Sequence, residues 1–162
     1  MSTETRSHRE NDIAGARTPA GVQVFTLGYQ GRDLKEVLQI VQRHGIEQVI
    51  DVRENATSKK PGFAAEELWQ ALAGIEVAYS HLPDLGCTSE SRHALWRGES
   101  MESFRNDYRR RLAERPEAFV GLVHRIRSAS TLLLCLERNP SLCHRAVLVE
   151  KLRSEGISAQ DL

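Results

Sequence analysis

Residues 130–156, "STLLLCLERNPSLCHRAVLVEKLRSEG", decide the fold. Their first part, "STLLLCLE", is an almost wholly apolar run of strand length, the pattern of a strand covered on both faces rather than wet on one. The second part changes to helical spacing. Pro140 suits the first helical position, where its missing N–H costs nothing, and Asn139 before it can cap. At about 100° per residue, Leu142, Ala146, Val149 and Leu152 form the expected buried stripe, and Arg145 falls inside it. A doubly buried strand feeding a helix predicts a parallel sheet.

The rest of the chain repeats that alternation. "VQVFTLGY" (22–29), "EQVIDVR" (47–53) and "IEVAYSHL" (75–82) read as strands rich in β-branched and aromatic residues. "DLKEVLQIVQRHG" (33–45) places Leu34, Val37, Leu38 and Val41 at helical spacing, with Asp33 as N-cap and Gly45 as stop. "AAEELWQALAG" (64–74) is a second helix, with Glu66 and Glu67 in the turn where the dipole favours them. Residues 83–100 read as a long irregular stretch able to act as a lid. "MESFRNDYRRRLAERP" and "EAFVGLVHRIRS" form a helical pair divided near Pro116, with Tyr108 and Leu112 turned inward, and "ISAQDL" adds a short last strand. Strands separated by helices predict a three-layer α/β/α domain over residues 22–162, with a mainly parallel sheet of four to five strands. Residues 1–21, polar and without an apolar signal core, read as a mobile tail.

Composition narrows the function classes. Lys plus Arg number 22 and Asp plus Glu number 22, so no bulk basic field exists to grip nucleic acid. No apolar run approaches a membrane span. Three cysteines, an odd count without framework spacing, fit a reducing cytoplasm.

In open parallel sheets, ligands sit outside the carboxyl ends of the strands. Those ends lead into Gly28-Tyr29, Asp51-Val52-Arg53, His81-Leu82-Pro83 and Cys135-Leu136-Glu137. One rim therefore collects most of the unusual chemistry. Cys143 and His144 at the start of the closing helix are the expected nucleophile or proton carrier, with Asp51 and Glu137 orienting them. The dipole and Arg145 favour a Cys143 thiolate. Arg145 cannot be buried unpaired, so its partner is a carboxylate such as Asp51 or Glu137, or a bound anion. Arg53 and Lys60, ahead of the Pro61-Gly62 turn, suit a phosphate; Gly62, Phe63, His81 and Cys135 complete the binding set. Alternatively, Arg145 makes a permanent ion pair, Arg53 and Lys60 belong to a solvated basic loop, Phe63 packs a helix, His81 is a half-buried, hydrogen-bonded histidine and Cys135 fills the core. Metal binding is not favoured: no CxxC pair occurs, and adjacent Cys143 and His144 should diverge around a helix.

Two resemblances follow from these residues. "DVRE" (51–54) weakly resembles the strand end of rhodanese-like domains, whose anion cradle joins a cysteine to an arginine six positions later. Six after Cys143, Cys135 and Cys87 stand Val149, Ser141 and His93, so that cradle is absent. More extensively, "DVR", "KPGF", "HLPDLG" and "C-x-E…CHR", spread over most of residues 24–152, resemble the family named domain of unknown function 488 (DUF488). That family usually has glycine-histidine-serine where this chain has Gly28-Tyr29-Gln30. The resemblance implies an α/β fold of this type and a prokaryotic cytoplasmic protein. It points to Asp51, Arg53, Lys60, Pro61, Gly62, Phe63, His81, Leu85, Gly86, Cys135, Glu137, Cys143, His144 and Arg145, and carries no established substrate or reaction.

The leading expectation is thus an enzyme-like pocket for an anionic small molecule, phosphate-bearing or nucleotide-like, needing no cofactor. The alternatives are a nucleic-acid or protein binding module using Arg53, Lys59, Lys60 and the "YRRR" helix, and a metal or redox thiol protein. Oligomeric state is not legible.

Overall fold

Strand β4 (Thr131–Cys135), buried at every residue, is the centre of the molecule. In the computed structural model, which describes residues 21–162, it lies between β2 (Gln48–Asp51) and β1 (Val24–Gly28). β3 (Ala78–His81) flanks β2, and the two-residue β5 (Gln160–Asp161) flanks β1, giving the order β3-β2-β4-β1-β5. Every pairing is parallel. The mobile tail expected over residues 1–21 lies, apart from Gly21, outside the described residues.

Side-chain alternation along these strands divides the core in two. Phe25, Leu27, Val49, Leu132 and Leu134 pack on one face against Val37 and Val41 of α1 (Leu34–Arg43) and Leu68 and Leu72 of α2 (Ala65–Ala73). Val24, Ile50, Leu133 and Cys135 pack on the other against α4 (Met101–Glu114), α5 (Pro116–Ile126) and α6 (Arg145–Ser154). The three-layer α/β/α architecture is therefore as the sequence predicts. α1 opens with a capping box: Asp33 accepts from the Glu36 N–H at 2.8 Å, and Glu36 accepts from the Asp33 N–H at 2.7 Å. Tyr108 and Leu112 are buried, and Pro116 takes the first turn of α5, as expected.

Two expectations fail. Residues 83–100 are not irregular: a 3-10 turn (Pro83–Leu85) and α3 (Ser89–Trp96), capped by Thr88, occupy most of the stretch. α3 buries only Ala94, so it lacks the apolar stripe by which helices are read. The closing helix also begins later than its capping signal suggests. Pro140 and Asn139 start a 3-10 turn (Pro140–Leu142), whereas α6 begins at Arg145. The phase counted from Leu142 is lost across that break. Leu142 is exposed, Ala146 and Val149 are half-buried, and Val147, Leu148 and Leu152 form the buried face with Arg145.

Two glycines set the rim by close approach. A Cβ on Gly28 would sit 1.8 Å from the Glu137 carbonyl oxygen, and one on Gly86 would sit 2.1 Å from the Glu54 nitrogen. The ends of β1 and β4, and the loops after β2 and β3, touch backbone to backbone there.

Candidate functional site

The expected residues do meet the carboxyl rim, but the sheet separates them into two groups. Asp51 ends β2 pointing to the α1/α2 face. Its Oδ1 accepts from the Arg53 Nε at 2.8 Å and backbone N–H at 3.1 Å, while its Oδ2 accepts from Arg53 Nη2 at 2.5 Å and the Tyr79 hydroxyl at 2.8 Å. Arg53 Nη1 donates to the Tyr29 hydroxyl and the Phe63 carbonyl, both at 2.9 Å. Tyr29 and Phe63 stack with centroids 4.2 Å apart. Burial raises the Tyr79 hydroxyl pKa, and the Asp51 charge raises it further. Arg53 is 5% exposed and Phe63 fully buried, so this group is a closed polar network. His81 donates to the Arg53 carbonyl at 2.8 Å, and half-buried Lys60 lies over the Phe63 ring beside Gly62.

The second group occupies the opposite face. Cys135 at the end of β4, with Cys143 and His144 just before α6, brings two sulfurs and one ring nitrogen within 4.8 Å of one another. The expectation that Cys143 and His144 diverge is overturned. Cys143 is extended, with φ −130° and ψ 151°, so helical rotation does not separate it from its neighbour. Its Sγ lies 3.7 Å from His144 Nδ1. The other ring nitrogen, Nε2, donates to the Val52 carbonyl at 2.9 Å, which fixes the ring. It is thus Val52, not Asp51, that orients His144. A third thiol, Cys87, in the loop after the first 3-10 turn, is buried in the same core cluster as Cys135 and Cys143 and accepts from Arg92 Nη2 at 3.6 Å. Tyr108 closes the back, its ring 4.9 Å from that of His144 and its hydroxyl donating to the Leu85 carbonyl.

Electrostatics within this cluster are uneven. Burial disfavours the Cys143 thiolate, yet hydrogen bonding with Cys135 and the charges of His144 and Arg145 hold its pKa well below the ordinary thiol value. The Cys143 sulfur beside it, and then burial, hold Cys135 well above it. Burial works against the imidazolium, but Cys143 and Cys87 keep the His144 pKa well above the usual histidine value. Cys87 is lowered, with His144 and Arg92 outweighing burial. Glu137, raised by burial and by Cys143, accepts from the Cys135 thiol at 3.3 Å.

Arg145 is fully buried on the face that Leu148 and Leu152 share, but its partner is neither Asp51 nor the Glu137 carboxylate. Nη1 pairs with Asp161 on β5 at 3.2 Å, and Nη2 donates to the Glu137 backbone carbonyl at 2.5 Å. Only its backbone N–H faces the thiols, donating to Cys143 Sγ at 3.5 Å. Asp51 and Cys143 thus lie on opposite faces of the sheet, and Arg145 pairs with neither of the carboxylates expected for it. Sequence reasoning missed Cys87, Arg92 and Asp161 as partners. The Thr88 capping signal marks where Cys87 is anchored, whereas nothing local ties Asp161 to residue 145.

Comparison with known families agrees with the motifs. The family described as "Domain of unknown function DUF488" matches residues 33–152, which include β2 to β4, the rim apart from the end of β1, and most of α6. The chain belongs to the DUF488 family. Apart from Tyr29, both groups of rim residues fall within the matched span, and Asp161, the partner of Arg145, lies outside it. No curated protein and no solved structure matches the chain. No helix among the described residues is long and apolar enough to cross a membrane.

Proposed function

We propose that this DUF488 member works through sulfur. Its functional centre is the Cys135–Cys143–His144 cluster with Cys87 beside it, and its ligand is thiophilic. One observation carries the reading: two free, buried cysteines, Cys135 and Cys143, bring their sulfurs within 4.8 Å of one imidazole whose far nitrogen is already committed to a backbone carbonyl, with a third free thiol, Cys87, buried in the same core cluster. Buried thiols usually serve as small apolar packing groups, and nothing in core packing requires them to meet at a histidine. The arginines expected to hold an anion support a phosphate pocket less well, because Arg53 and Arg145 are occupied by Asp51 and Asp161. The basic helix gives a nucleic-acid surface little support either. Arg109, Arg110 and Arg111 pair with Glu150, Asp107 and Glu54.

A mercurial titration of the native, reduced full chain tests the reading. Thiol uptake is expected while the far-ultraviolet circular dichroism stays native, and Cys143→Ser removes the first equivalent. Thiols that stay inert until the chain is denatured would mark the cluster as packing alone.

A further inference from the structure

We infer that the thiol–imidazole cluster is a tetrahedral zinc site with ligands Cys87, Cys135, Cys143 and His144. The inference rests on the sulfur-centred reading above and names its ligand. Zinc–sulfur bonds near 2.3 Å place the sulfurs of a tetrahedral site about 3.8 Å apart. Cys135, Cys143 and His144 already offer their donor atoms within 4.8 Å, so small side-chain rotations complete the geometry. His144 has the environment of a zinc-ligating imidazole: Nε2 donates to the Val52 carbonyl, which leaves the Nδ1 lone pair facing Cys143 Sγ. Cys87 lies outside that 4.8 Å group but is buried in the same core cluster as Cys135 and Cys143, and it is the fourth donor once its side chain turns towards the ion.

The surroundings suit that ion. Three thiolates and a neutral histidine around a dication leave one net negative charge, and two donors already point at its sulfurs. The Arg92 guanidinium donates to Cys87, and the Arg145 backbone N–H donates to Cys143. Softness of the donors selects zinc over magnesium or calcium, which take oxygen. With four protein ligands the site is closed, as structural zinc sites are, and it ties the loop after β3 to the end of β4 and the start of α6. Entry is available from one side. Cys87 and Tyr108 border a groove of about 380 Å³ between α3 and α4. The absence of a CxxC pair is no obstacle, because the ligands come from three segments rather than one knuckle.

The test uses full-length protein, reduced and freed of metal, then titrated with zinc against a chromophoric chelator and, separately, with cobalt. One equivalent should bind, and the cobalt form should show sulfur-to-metal charge transfer with the intense visible bands of a tetrahedral site. Loss of a hydrogen-bonding partner of a ligand typically weakens a metal about 10- to 100-fold, so Cys135→Ser, Cys143→Ser and His144→Asn should each weaken zinc by at least about 100-fold. Should those variants fail to fold, Cys87→Ser at the groove is the milder probe; it should retain the fold and lose about a third of the charge-transfer intensity. Failure of the wild-type chain to compete for zinc overturns the proposal, as does binding that the four substitutions leave unchanged. If the native thiols still take up mercurial when no zinc binds, the sulfur-centred reading stands and zinc alone is wrong. If neither occurs, both fall.

Discussion

Replacing Asp51 by alanine separates a structural role for Arg53 from a ligand-binding one. Asp51 is fully buried and accepts four hydrogen bonds, three of them from Arg53. Its removal leaves a guanidinium, 5% exposed, without its counter-charge, and breaking one side of a buried pair costs about 3–5 kcal/mol. At roughly 2–4 °C per kcal/mol for a chain of this size, melting should fall by roughly 6–20 °C. Urea unfolding gives the free energy directly. The double substitution Asp51→Leu with Arg53→Met removes both charges, and it should cost less than the two single losses summed by about 2 kcal/mol. Inorganic phosphate should not rescue Asp51→Ala, because Arg53 faces no solvent-filled hollow. A loss below about 1 kcal/mol, or rescue by phosphate, would refute the closed-network account and restore Arg53 as an anion ligand.

Further expectations bear on other parts of the rim. Gly28→Ala drives a Cβ into the Glu137 carbonyl at 1.8 Å and should cost about 3 kcal/mol or abolish soluble folding, read by expression yield and circular dichroism. Arg145→Met strips Asp161 of its partner and the Glu137 carbonyl of its donor; a loss of about 2–4 kcal/mol is expected in urea, with β5 the first segment to exchange its amides. Asp33→Ala breaks the capping box of α1 and should cost about 1 kcal/mol without touching metal uptake. Chelation of the zinc site should increase proteolysis at the 135–144 turn and around Cys87, and restoring zinc should reverse it.

The architecture is legible because it depends on patterns the chain states locally: apolar runs of strand length, helical spacing and caps such as Asp33. The position of Cys143 and His144 on the rim follows from the same patterns. What escapes is pairing between distant segments. Arg145 is buried as expected although the stripe that suggested it is not the buried face, and its partner Asp161 is chosen by the parallel pairing of β5 with β1, which no local signal announces. The convergence of Cys143 and His144 is hidden for a different reason: it depends on one extended residue between a 3-10 turn and a helix, where a uniform rotation per residue misplaces both side chains. α3 escapes because eight residues with one buried side chain have no periodicity to read.

The strand order has a consequence for how the chain is made. Apart from β2 with β3, every neighbour relation in the sheet requires β4 or β5. While the ribosome advances from residue 28 to residue 135, β1 has no partner at all, an interval on the order of ten seconds at ordinary elongation rates. Nascent chains cut short before residue 131 should therefore rely on chaperones, and the thiol cluster can close only once residue 144 has left the ribosome.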